Sequence, residues 1–451
     1  MNVPISVPTA VPNITPAITP AMSAERAAEI ARSLDLRQLP PDFLANPYPV
    51  YAWLREHAPL KRLPDGSVFL TRHADLVAVY RDAQTFSSDK QVEFGPKYNH
   101  APFNEAPWAV APGTAPLYQH HTSSLVFNDP PLHTRVRRII MGALTRRAIE
   151  GMAPGLVQLV DSLLDTLQAR GGGDLIEDFA SAIPVEIIGN LLNVPHADRG
   201  PLRGWSLAIL GALEPALSPE QEALGHRSVR EFSDYLRQLV AERRRHPGDP
   251  EHDVLTRLIQ GDGGEALSEV ELLQNCVFLL NAGHETTTNL IGNALLCLQE
   301  WPEQRAQLMA DLAGCADEAA REQVLGLAVD EFLRFESSNQ LGNRRALQDT
   351  TVGGVALPAG TLITLCIGAA NRDPAQYPQP EQLDLRRSGN KHLAFGFGPH
   401  QCAGLSLARL EGRIAIGRFV QRFPNYRLTA APQRGGRARF RGFLHAPFAV
   451  E

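Results

Sequence analysis

The sequence predicts a mainly α protein, one helical domain with small β elements set into it. Three observations point there. From 131 to about 259 the apolar residues recur at helical spacing, with only turns between the runs. Ser268 and Glu271 then form an S-x-x-E capping box that opens a helix closing near Glu300, just before Trp301-Pro302. At about 1.5 Å per residue that helix spans roughly 50 Å, enough to cross a whole domain. Finally, no internal repeat and no interdomain linker interrupts the chain, so 23–451 reads as a single domain.

The elements follow in order. Pro4, Pro8, Pro12, Pro16 and Pro20 recur every four residues, with no charge before Glu25. Prolines at that spacing forbid a continuous helix, so 1–22 reads as an extended, disordered leader and not as a membrane anchor. A helix is expected over 46–57, a hairpin from 60–63 and 67–71 around Asp65-Gly66, and a helix over 73–81. The irregular segment 82–129 carries Phe86, Phe94, Tyr98, Phe103, Trp108, Tyr118 and Phe127, and its aromatics favour a packed binding loop. Helices are expected over 132–147, 149–168, 175–192 and 322–335, and strands over 351–356 and 361–367. A proline-rich stretch, 373–380, leads to a glycine-rich loop and a last helix over 405–419.

The bulk properties exclude several classes. A net charge of −6 gives no reason to expect nucleic acid or an anionic membrane as partner. Cys276, Cys297, Cys315, Cys366 and Cys402 are scattered without C-x-x-C spacing, against a disulfide framework or a zinc site. Cytoplasm fits best. Arginine outnumbers lysine 39 to 4, as in GC-rich bacterial genes.

The chemistry concentrates in F-G-F-G-P-H-Q-C-A-G, residues 395–404. Gly396 and Gly398 can take backbone conformations closed to other residues and let a flat ligand lie close. The helix that follows turns its N-terminal dipole toward Cys402, which should favour thiolate. A lone thiolate so held suits a haem iron, whereas an isolated cysteine beside a glycine turn would be a structural thiol. A second signal, A-G-H-E-T-T at 282–287, sits in the middle of the long helix. Glycine and β-branched residues are poor helix formers, so a local break and a groove are expected there. Glu285 beside Thr286 is an acid–alcohol pair of the kind that relays protons. Glu331 and Arg334, at i and i+3, can pair on one helix face. His133 and Arg137 share another face at i and i+4.

The loop resembles the haem-ligand signature of the cytochrome P450 family, F-G-x-G-x-H-x-C-x-G, at every fixed position. The resemblance extends in order and spacing over roughly 40–450, and it implies the P450 fold, a single helical domain with small β-sheets around a buried haem (heme b). It implies Cys402 as the iron's ligand, and Glu285 with Thr286 as the oxygen-activating catalytic pair. Ala282, Phe395, His400 and Gly404 become cofactor-binding residues. His133, Arg137, Arg344 and His400 match the positions that hold the two propionates. Glu331 and Arg334 resemble the family's structural pair, but Gln382 stands where a third member, an arginine, is expected; Arg386 or Arg387 are its substitutes. The resemblance further implies a soluble, monomeric bacterial monooxygenase. Its electrons would come from NAD(P)H through a ferredoxin and ferredoxin reductase, or a flavodoxin-type donor. A peroxide-driven peroxygenase and a non-catalytic haem sensor or carrier are the alternatives.

The substrate is expected to be small and mostly apolar with a polar handle, such as a terpenoid, an aromatic acid or a polyketide fragment. Its pocket is expected between the loop 86–127, the long helix near Leu280 and Ala282, and the segment 339–343, with Asn339 and Asn343 as polar contacts.

Overall fold

Capping decides where the long helix begins. In the computed structural model, which describes residues 18–94 and 116–450, the helix runs unbroken over Glu269–Glu300. Ser268 Oγ accepts from the Glu271 N–H, and the Glu271 carboxylate accepts from the Ser268 N–H at 2.8 Å. Helices Ala182–Leu191, Leu202–Gly211, Pro219–Arg245, Glu318–Phe335 and Leu405–Arg422 pack around it. It is therefore covered on nearly every side and makes the centre of the main core. Among the described residues no helix is long and apolar enough to cross a membrane.

Several predicted helices shift, each for a local reason. The helix expected over 132–147 stops at Leu132–Ala143, because Thr145 turns extended and caps a second helix, Arg146–Gly151. The next runs over Ala153–Arg170 and closes on Gly171 at φ 73°. The stretch 175–192 divides into a wide turn, Leu175–Ala180, and the helix Ala182–Leu191. The helix expected from 322 starts at Glu318, since Asp317 accepts from the Ala320 N–H at 2.8 Å.

The β structure is small and lies beside the helices. Leu60–Arg62 and Val68–Leu70 form the expected hairpin. It joins Leu362–Cys366 in parallel, and Leu341–Ala346 and Phe86–Ser87 complete a five-stranded sheet. The strand expected over 351–356 is itself a hairpin, Thr350–Val352 against Val355–Leu357. Gly353 and Gly354, both at positive φ, make its turn.

Two expectations are partly corrected. Residues 18–22 do not belong to a disordered leader: Ile18 is buried, Thr19 Oγ1 donates to the Glu300 carboxylate at 3.0 Å, and the Pro20 carbonyl accepts from Asn46 at 2.9 Å. Residues 1–17 lie outside the described residues. So do Tyr98, Phe103 and Trp108 of the aromatic segment, whose flanks carry the short helices Gln91–Phe94 and Pro116–Ser123.

Candidate functional site

The cysteine loop is held by its own backbone. Gly396 and Gly398 sit at φ 65° and 70°, and the Cys402 N–H donates to the Phe395 carbonyl at 2.8 Å. A Cβ on Gly398 would lie 2.4 Å from the Tyr80 carbonyl oxygen. Glycine is thus demanded there by the packing of the loop on the helix His73–Arg81. Gly404 caps the helix Leu405–Arg422, and its N–H reaches back toward the sulfur. The expected bias toward thiolate is not met by the chain itself. Burial pushes the Cys402 thiol up, and the Gly404 N–H, Arg137 and Arg409 oppose it only in part. A bound metal ion would favour the thiolate at this position.

Next to the loop, four nitrogenous side chains converge, and the one carboxylate that acts on them among the described residues, Asp129, is itself held by Ser87 and Ser88. The His133 and His400 rings lie 3.9 Å apart. Both His133 ring nitrogens and His400 Nε2 lack partners among the described residues. Among the described residues Arg137 donates only to the Gln401 carbonyl at 2.7 Å, and Arg344 only to the Asn343 carbonyl at 2.7 Å. Burial, followed by repulsion from Arg137, pushes His133 down to about 4. Two buried carboxylates would satisfy this cluster, and a haem carries two propionates. The residues fit the group.

The long helix offers a matching surface. Phe278, Ala282 and Thr286, at i, i+4 and i+8, form a half-exposed stripe on a helix whose other faces are buried. The expected break at 282–287 is absent. A Cβ on Gly283 would lie 2.5 Å from Ile188 Cδ1, so this glycine is there for close packing against the helix Ala182–Leu191. Thr286 Oγ1 donates to the Ala282 carbonyl at 2.5 Å, the back-bonding that bends a helix without interrupting it. Glu285 is 5% exposed and its Oε1 accepts from Arg437 at 2.5 Å. Burial pushes it up to about 7 even though Arg437 pulls the other way.

Glu331 and Arg334 are fully buried and joined by two hydrogen bonds of 2.8 and 2.7 Å. All five Arg334 donors are used, on Glu331 and on the Asn371, Pro380 and Gln382 carbonyls. Arg387 is the third member, at 3.2 and 3.1 Å from the two Glu331 oxygens, whereas Arg386 pairs with Asp311 at the surface. Gln382 contributes only its carbonyl.

The polar segment after this pair does less than expected. Ser337 donates to the Leu333 carbonyl, Ser338 to the Thr286 carbonyl, and Gln340 to the Ser337 carbonyl. Asn343 Oδ1 accepts from Arg439 at 2.7 Å. Asn339 Oδ1 accepts from the Leu341 N–H at 3.4 Å. The serines, Gln340 and the two asparagine oxygens are thus engaged by the protein itself, while the side-chain NH2 groups of Asn339 and Asn343 have no hydrogen bond among the described residues. The sequence reading missed Arg437, Arg439 and Arg441. Their signal was R-A-R-F-R at strand-like alternation between glycines, with apolar residues in between.

Comparison with known proteins places this geometry. The model of the family described as Cytochrome P450 matches residues 211–434. The chain is 33% identical to the biotin biosynthesis cytochrome P450 of Bacillus subtilis over 391 residues, 86% of this chain and 92% of that protein. It is 37% identical to the vitamin D(3) 25-hydroxylase of Pseudonocardia autotrophica over 393 residues, 86% and 89% of the two chains. Among solved structures, P450BioI in complex with acyl carrier protein ligated to hexadec-9Z-enoic acid aligns with a TM-score of 0.80 at 32% identity, covering 91% of this chain and all of that one.

Proposed function

The chain belongs to the cytochrome P450 family, whose members are haem-thiolate monooxygenases with haem b, and from that premise we propose how its own residues serve the reaction. Cys402 is the iron's thiolate ligand. The carrying observation is the orphaned cluster of His133, Arg137, Arg344 and His400 beside the Cys402 loop, which calls for two carboxylates at that place. When bound, the haem supplies the dioxygen chemistry that inserts one oxygen atom into the substrate.

The remaining roles belong to side chains. The Phe395 carbonyl fixes the Cys402 N–H, and the Gly404 N–H turned toward the sulfur withdraws charge from it. Ala282 is small and half-exposed, so it leaves room along the open stripe. Thr286 spends its proton on the Ala282 carbonyl, which leaves its lone pairs to accept from a ligand in the stripe. Glu285, poised near neutrality, can give and regain a proton at working pH. Glu331, Arg334 and Arg387 brace the segment leading to the loop.

The electron donors are a ferredoxin and its reductase, or a flavodoxin-type protein. The substrate is a small, mostly apolar molecule with one polar handle; the acyl carrier complex of P450BioI adds carrier-borne acyl chains to the screen. The acid–alcohol pair favours dioxygen with delivered electrons over direct use of peroxide.

One set of measurements tests this. Reduced, carbon-monoxide-bound holoprotein should show the red-shifted Soret band of thiolate ligation, and Cys402→Ala should lose it. Product should form with NAD(P)H and donors but not with hydrogen peroxide alone. A Soret band unchanged in Cys402→Ala removes the assignment.

A further inference from the structure

Arginine keeps its charge in a protein, so a guanidinium taken out of water needs a carboxylate or a ligand that stands in for one. Among the described residues, burial pushes Arg55, Arg137, Arg344, Arg434 and Arg439 below the ordinary arginine range. Arg55 reaches Glu381, and Arg434 reaches Glu336. Arg137 and Arg344 stand where the haem's two carboxylates are called for. Arg439 is left over. It donates from Nε to the Leu213 carbonyl at 2.8 Å, from Nη1 to the Leu341 carbonyl at 2.7 Å and from Nη2 to Asn343 Oδ1 at 2.7 Å. All of those acceptors are neutral, and each Nη keeps a second N–H unspent.

The carboxylates that act on Arg439 are Glu214 and Glu93, and both are engaged elsewhere. Glu214 accepts from the Ala438, Arg439 and Phe440 backbone N–H groups at 2.9 to 3.3 Å. Glu93 holds the buried Lys90 Nζ with both oxygens at 2.8 Å. Asn343 adds a further donor, because Arg439 takes its Oδ1 and its NH2 has no hydrogen bond among the described residues. Arg439 and Asn343 are both half-buried, so these spare donors have open space before them. The place belongs to the expected substrate pocket. Leu341 and Asn343 lie in the segment 339–343, and the Arg439 charge is felt at Lys90 and His121, on either flank of the loop 86–127.

We infer that Arg439 and Asn343 bind a carboxylate of the substrate, which makes the substrate a small organic acid taken as the free acid. The inference rests on the proposed function and goes beyond it by naming the polar handle. Donors gathered around one positive charge suit a group that is anionic and accepts at two oxygens, and a planar guanidinium meets two oxygens at once. An alcohol would bring a donor of its own against N–H groups. A thioester, as on a carrier protein, offers one neutral carbonyl. The apolar remainder of the acid is left to the stripe of Phe278, Ala282 and Thr286.

The test titrates the holoprotein with decanoic acid, para-ethylbenzoic acid and perillic acid, each beside its methyl ester and its N-acetylcysteamine thioester, and reads binding from the haem spectrum. At least one acid should bind about tenfold or more tightly than its ester. In Arg439→Gln that acid should bind about ten- to a hundredfold more weakly, while the esters bind as in wild type. Arg439→Lys, which keeps the charge and loses the fork, should fall between the two. Asn343→Asp gives Arg439 a carboxylate of its own on the same hydrogen bond. That variant should unfold at a higher temperature than wild type and no longer bind the acid, and it decides the matter if Arg439→Gln does not fold. An ester or thioester bound as tightly as its acid, no acid bound, or an acid affinity unmoved in Arg439→Gln or Asn343→Asp overturns the inference. Weakened haem binding in Arg439→Gln, with acids and esters affected alike, would assign the guanidinium to the haem's own carboxylates and overturn it too. The oxidation is judged separately, by product formed with NAD(P)H and donors. If an acid binds through Arg439 and no product forms, the anchor stands and the monooxygenase reading falls; if neutral molecules are oxidised and no acid binds, the reverse holds.

Discussion

Two neighbouring arginines, Arg386 and Arg387, have opposite fates although the sequence treats them alike. Arg387 lies 11% exposed against the fully buried Glu331, while Arg386 is 60% exposed and pairs with Asp311. A hydrogen bond to a buried charge contributes on the order of 1.5–3 kcal/mol, and an exposed ion pair about 0–1. Arg387→Met should therefore lower stability by about 2 kcal/mol and speed haem loss, whereas Arg386→Met should leave stability nearly unchanged. Urea unfolding of both variants decides it; equal effects would remove Arg387 from the network. Motif spacing pointed to the right stretch of chain here, but choosing between adjacent arginines needs exposure, which spacing does not carry. The same limit hid Arg437. Its partner Glu285 is 152 residues away, and no local pattern joins a C-terminal loop to the middle of a buried helix.

At the level of elements, the signals that could be read were those with a local cause. The long helix begins where its capping box sets it, and the helix His73–Arg81 and the hairpin around Gly66 fall where apolar period and turn residues put them. The misreading of Gly283 shows the opposite case. Its helix propensity is poor, yet the helix continues because Ile188 occupies the space a side chain would need. Gly283→Ala should gain about 1 kcal/mol of propensity and lose about 1–3 to overpacking, for a net loss. Adding Ile188→Val deletes the Cδ1 atom that a new Cβ would meet at 2.5 Å, so the double variant should recover stability relative to Gly283→Ala. A double-mutant cycle on unfolding free energies measures this coupling. Additive effects would mean that the glycine serves something other than this helix–helix contact.

The whole molecule is tied together by a cluster no single stretch of sequence shows. Glu336, at the end of the helix Glu318–Phe335, is 6% exposed and surrounded by Arg372, Arg434 and Arg441. Arg441 reaches Glu336 with Nε and gives its other nitrogens to the Leu44 and Ala45 carbonyls, both at 2.8 Å. One guanidinium thus joins the N-terminal helices, the segment that precedes the strand Leu341–Ala346, and the C-terminal chain that supplies Arg437 to the acid. Burial alone would push Glu336 up, but the three arginines hold it below the usual carboxylate range. Removing one member of a buried pair leaves an uncompensated charge and costs about 3–5 kcal/mol, far more than a surface pair. Arg441→Leu should be destabilised by that amount. Arg26→Ala, whose ion pair with Asp42 is 40% exposed, should leave stability nearly unchanged. Because the C-terminal segment is anchored through Arg441, its loosening should also weaken the Arg437 contact that lowers Glu285 and so raise the Glu285 midpoint. Thermal unfolding and a titration of the Glu285 carboxyl by its infrared C=O stretch, on one Arg441→Leu preparation, test both claims. A destabilised protein with an unmoved Glu285 band would show that the cluster holds the fold together without reaching the proton path.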